Sequence, residues 1–188
     1  ATTWDVSESG DKTILAWYET NANGSLKVYI GSKDEIFANQ DSTDLFAYIG
    51  YADKCTATET ITNIDLLNVM AVTNMRRMFR YTGHKAMTSL DLGSKFNTSN
   101  VTNMIGMFEG TGYKAMTTLN LGGNFNTGKV TNMSYMFNEC GHDKLEGLNL
   151  GNNFNTSKVT DMQYMFANAG HDAMTSLDLG SNFNTVLV

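Results

Sequence analysis

The residues with the most chemical potential are three histidines, His84, His142 and His171. Each directly follows a glycine, and each occupies the same place in a pattern that recurs every 29 residues, with Tyr113 filling the remaining place. If successive copies pair as strands do, neighbouring imidazoles lie about 4.8 Å apart. That is close enough to share an ion of the kind that imidazole favours. Asp143 and Asp172 stand beside two of the rings, which makes His142 and His171 the weak candidate for a metal column. Tyrosine would be a poor substitute in such a site, so a planar, hydrogen-bonding residue suited to the loop is the favoured reading. No metal and no cofactor is assigned.

No catalytic constellation accompanies them. The chain contains no G-x-S-x-G, H-E-x-x-H or C-x-x-C and no phosphate-cradling glycine loop, so a non-enzymatic protein is expected. Cys55 and Cys140 fall three repeats apart, or about 14 Å in strand spacings, well beyond the roughly 7 Å limit between Cα atoms for a disulfide. Both are predicted to be free thiols.

Composition narrows the partners. A net charge of −6 with scattered lysine and arginine argues against nucleic acid, whose binders carry a basic patch. No apolar run approaches the roughly 18–20 residues that span a bilayer, so membrane insertion is not expected. Proline is absent while Asn, Thr, Gly and Met are abundant, which suggests a regular, polar-surfaced backbone.

The elements that must position these residues belong to an internal repeat. Val72, Val101, Val130 and Val159 each open the unit V-T-[ND]-M-x-x-M-F-x-x-x-G-[HY]-x-x-[ML]-x-x-L-x-L-G-x-x-F-N-T, and a fixed period of this length indicates a solenoid, propeller or array. In M-x-x-M-F the apolar residues fall at i, i+3 and i+4, one face of a helical turn. Thr73, Thr102, Thr131 and Thr160 are placed to cap it. The core is expected to comprise Met75, Met78, Phe79, Met104, Met107, Phe108, Met133, Met136, Phe137, Met162, Met165 and Phe166. The segments at 87–92, 116–121, 145–150 and 174–179 read as short strands. Their L-x-x-L-x-L-x-x-N pattern is the leucine-rich-repeat signature. The expected fold is an α/β repeat: a right-handed leucine-rich-repeat-like solenoid with a parallel strand ladder, short helical turns on the convex side and an N-terminal β-hairpin cap.

That cap is assigned to 1–25, where Trp4, Ile14, Ala16 and Tyr18 precede the NANG turn (21–24). Residues 26–71 read as two degenerate coils, because Leu45-Phe46 and Gly50 keep the Met-Phe…Gly spacing. The first carries an insertion around YADKCTATET. Regular repeats occupy 72–188, and the whole reads as one continuous domain, a fragment of a longer array.

The VTNMxxMF and LDLG/LNLG–FNTS blocks closely resemble those of the BspA-like leucine-rich-repeat surface proteins of bacteria. The resemblance implies export or surface display and adhesion to host proteins or other cells. A recognition or adhesion module that binds a host or neighbouring-cell surface protein or glycan is therefore expected, with a passive spacer displaying another domain as the alternative. The expected contact residues are the polar ones between the strand leucines: Thr88, Asp91, Thr117, Asn120, Glu146, Asn149, Thr175 and Asp178. The helix positions Arg76-Arg77, Ile105-Gly106, Ser134-Tyr135 and Gln163-Tyr164 form a second candidate face.

Overall fold

The computed structural model describes residues 3–6, 10–22, 24, 26–52 and 60–188. Cys55, most of the expected insertion around YADKCTATET and Asn23 of the NANG turn lie outside the described residues. The chain divides into two compact units, Ala1–Phe37 and Ala38–Val188.

In the first unit, β1 (Thr3–Asp5), β2 (Ile14–Thr20) and β3 (Leu26–Ser32) form an antiparallel sheet in that order. Aromatic pairs hold the register. Trp17 stands opposite Tyr29 with ring centroids 5.2 Å apart, and Trp4 stacks on Tyr18 at 5.5 Å. The expected hairpin is thus a three-stranded meander, and Leu26–Ser32 belongs to it. The two-residue strand β4 (Ile36–Phe37) closes this unit.

In the second unit, β5 (Leu67–Asn68) follows a 3₁₀ turn over Ile64–Leu66. The unit continues with four three-residue strands: β6 (Ser89–Asp91), β7 (Thr118–Asn120), β8 (Gly147–Asn149) and β9 (Ser176–Asp178). β6 pairs with β7 and β8 with β9, both parallel and one repeat apart. No sheet joins β7 to β8.

No α-helix occurs among the described residues. Each M-x-x-M-F segment is instead a run of overlapping turns. Met78, Arg80 and Thr82 N–H donate to the carbonyls three residues back, at 2.9–3.2 Å, while Met75, Arg77, Phe79 and Tyr81 N–H donate to Asn103, Ile105, Met107 and Glu109 of the next copy, at 2.7–3.0 Å. A helix this short is marginal in isolation, and an identical neighbour one strand spacing away offers its amides a better partner. The asparagine column starts each run: Asn74 Oδ1 accepts from Arg76 N–H at 3.1 Å, with Asn103, Asn132 and Asp161 repeating the turn. The threonines expected as helix caps bond between copies instead, Thr102 N–H to Thr73 O at 2.8 Å. The α/β solenoid of the leucine-rich-repeat type expected from the sequence is therefore corrected. The chain forms strands and turns, its sheets are small and separate, and convex and concave faces do not apply.

The core lies between the turn runs and the strands. Met75, Met78, Phe79, Met104, Met107, Phe108, Met133, Met136 and Phe137 are fully buried, Met165 nearly so, and Met162 and Phe166 half-buried. Phe46, Phe79, Phe108, Phe137 and Phe166 stack as a continuous column, 5.3–5.6 Å between successive rings. Phe46 N–H donates to Met78 O at 2.8 Å, as Phe79 N–H does to Met107 O at 2.9 Å, so 38–51 pairs with the first regular copy in the same way.

Candidate functional site: a ladder of tyrosine and histidine rings

The G-[HY] column sits where each turn run ends. Gly83, Gly112, Gly141 and Gly170 hold φ of 54–59°, and a Cβ on Gly83 would lie 2.2 Å from Met87 Cβ. Glycine is therefore required there, and the next residue leaves the core with its ring outward. The carbonyl behind each ring is clamped by the following copy: Lys114, Asp143 and Asp172 N–H donate to His84, Tyr113 and His142 O at 2.9–3.0 Å. The rings consequently form a ladder of five. Centroid separations are 4.9 Å for Tyr51–His84, 4.9 Å for His84–Tyr113, 4.4 Å for Tyr113–His142 and 4.8 Å for His142–His171.

Tyr51 is the member that the sequence reading passed over, although Gly50-Tyr51 repeats the G-[HY] signal. At this end the ladder broadens into a cluster. Tyr48, Tyr51 and Tyr81 contact one another at 5.5 Å in each pair. The Arg80 guanidinium lies 5.0 Å from the Tyr81 ring centroid and 5.8 Å from that of Tyr48. Arg80 Nε is 2.9 Å from Glu109 Oε2 without an aligned hydrogen bond, and Nη2 donates to Oε1 at 3.3 Å. A second ring pair, Tyr135–Tyr164 at 5.2 Å, falls on the alternative face named above.

The three histidines differ electrically. Burial, reinforced by Lys114 and Lys85, holds His84 below the ordinary histidine value, and its buried Nδ1 has no partner. His142 Nδ1 lies 2.8 Å from Asp143 Oδ1, and Lys114 Nζ is 3.2 Å from Asp143 Oδ2. Burial would raise Asp143, but these two bonds outweigh it and hold the carboxyl below its usual range. His171 Nδ1 lies 2.7 Å from Asp172 Oδ1. Among the described residues, His142, His171 and Asp172 are the group that could hold a metal, each offering one ligand atom within 4.8 Å of the others.

The polar strand residues Thr88, Asp91, Thr117, Asn120, Glu146, Asn149, Thr175 and Asp178 are all exposed. The paired strands align Asp91 with Asn120 and Asn149 with Asp178. These four are also structural: their Oδ1 atoms accept from the N–H of Gly93, Gly122, Gly151 and Gly180 at 2.8–3.0 Å. Cys140 is buried and free, and burial pushes its thiol far above the ordinary value.

Residues 50–176, well over half of the chain, match the family described as "Mycoplasma protein of unknown function, DUF285", and the chain belongs to that family. No curated protein and no solved structure matches it significantly.

Proposed function

We propose that the protein is a non-enzymatic recognition module that binds a protein or glycan partner through the aromatic end of the ring ladder. The observation that carries this reading is the Tyr48–Tyr51–Tyr81 cluster with Arg80 against it. Tyrosine and arginine dominate binding hot spots, and Tyr48 and Tyr51 are 47% and 45% exposed. Three tyrosines held against one another present a large, rigid, amphipathic area whose ordering cost is already met in the free protein. The polar strand residues then serve as flanking contacts. The resemblance of the VTNMxxMF blocks to BspA-like surface proteins supports display on the outside of a bacterial cell, facing a host or a neighbouring cell.

The alternative, a passive spacer displaying another domain, has its own supporting observation. Asp91, Asn120, Asn149 and Asp178 spend a side-chain oxygen on their own backbone. An array of extracellular-matrix proteins and glycans, probed with the wild type and with the Tyr48→Ser/Tyr51→Ser double variant, separates the two. Recognition requires a wild-type signal that the variant loses by tenfold or more. No signal, or an undiminished one, favours the spacer.

A further inference from the structure

We propose that His142, His171 and Asp172 form a binding site for a transition-metal ion of the zinc, nickel or copper(II) class. The reading stands apart from partner recognition, because it uses the opposite end of the ladder from the tyrosine cluster.

The donor set is two imidazoles and a carboxylate, which suits these ions and leaves positions open for water. The three ligand atoms already lie within 4.8 Å of one another. The backbone holds the two copies in this register, since Asp172 N–H donates to His142 O at 3.0 Å and Gly170 N–H to Cys140 O at 3.0 Å. The two rings are nearly parallel, at 11°. The in-plane lone pairs of parallel rings do not converge on one point, so His171 must turn out of the stack for both rings to place a nitrogen about 2.0–2.1 Å from one ion.

The freedom to turn lies on one side. His142 is 17% exposed, stacked on Tyr113 and bonded to Asp143, whereas His171 and Asp172 are 58% and 54% exposed. His171 and Asp172 therefore move toward a fixed His142. Asp143 remains on the His142 ring as the carboxylate that orients a metal-bound imidazole, and Lys114 in turn steadies Asp143. The rest of the column cannot do the same. His84 neighbours tyrosines on both sides and is followed by lysine rather than aspartate.

Isothermal titration of the untagged chain with zinc chloride, and separately with nickel chloride, tests this. The expected result is one ion per chain at micromolar affinity. His171→Gln weakens binding 10- to 100-fold and Asp172→Asn by up to tenfold, while His84→Gln leaves it unchanged. In NMR spectra, zinc shifts the ring signals of His142 and His171 but not that of His84. Because His171 and Asp172 are exposed, their variants keep the wild-type circular dichroism spectrum. Zinc and nickel affinities no tighter than millimolar in the wild type, or equal affinity in His171→Gln, overturns the proposal.

Discussion

The turn-run side and the strand side of the repeat share one period and one set of neighbours, yet they differ in continuity. Along the turn runs, Asp41, Asn74, Asn103, Asn132 and Asp161 bridge in unbroken succession, and the phenylalanine column stacks behind them. On the strand side no sheet joins β5 to β6, and the pairing stops again between β7 and β8. The second interruption coincides with a change of residue. Ser89, Thr118 and Ser176 share a column in which β8 has Gly147, and glycine weakens a strand interior. Repetition supplies the register, but each interface depends on its own side chains.

Four substitutions break or sharpen this contrast. The largest effect is expected from Phe108→Ala, which empties the centre of the ring column and costs about 3–5 kcal/mol in denaturant unfolding. Gly122→Ala attacks the strand side. Gly122 holds φ of +75°, and its Cβ would meet Gly93 O at 1.8 Å, so a loss of about 3 kcal/mol is expected. Should it exceed Phe108→Ala in the same titration, the turn runs are not the stronger side. Gly147→Ser works in the opposite direction. Its new Cβ meets only the mobile Ser176 Oγ closely, at 2.7 Å, and removing a strand glycine should stabilise by roughly 0.5–1 kcal/mol. Slower amide exchange in β8 would show that the break is local.

The smallest effect concerns His84. Its folded value is depressed, chiefly by burial, so the unfolded chain takes up a proton first as the pH falls. Its contribution is complete above the unfolded value near pH 6.5 and declines below it. Unfolding at pH 5.5 and 7.5 should show this slope reduced in His84→Gln. An unchanged slope would mean that the ring titrates normally.

Much of this organisation is legible in the residues. The 29-residue period and the packed methionine and phenylalanine columns follow from columns of identical residue type, which only a stack can bury together. Local conformation is less legible, because i, i+3, i+4 spacing is common to a helical turn and a run of overlapping turns. What separates them is where the amides bond, and that partner lies 28 residues away. The [ND] column before each first methionine does not separate them, since an Oδ1 that accepts from the N–H two residues on serves equally as an Asx turn and as a helix N-cap. Left-handed backbone at Arg77, Tyr135 and Tyr164, and at Tyr81, Glu139 and Asn168, is signalled only by Gly106 and Gly110, which fill the same two columns in the second copy, and by Asn168 itself. The ring ladder was partly visible as the histidine column. Its tyrosine end was hidden by the irregular spacing that separates Tyr51 from His84.

The ladder also behaves as an ordered string of chemical letters, read Tyr, His, Tyr, His, His. Because each clamp joins only adjacent copies, loss of one complete copy (residues 130–158) would splice the string instead of scrambling it. Tyr113 would then face His171, and the histidine doublet would vanish while the tyrosine end stayed untouched. Unequal recombination between near-identical repeats makes such whole-copy edits, so the molecule's surface chemistry can be rewritten by counting units.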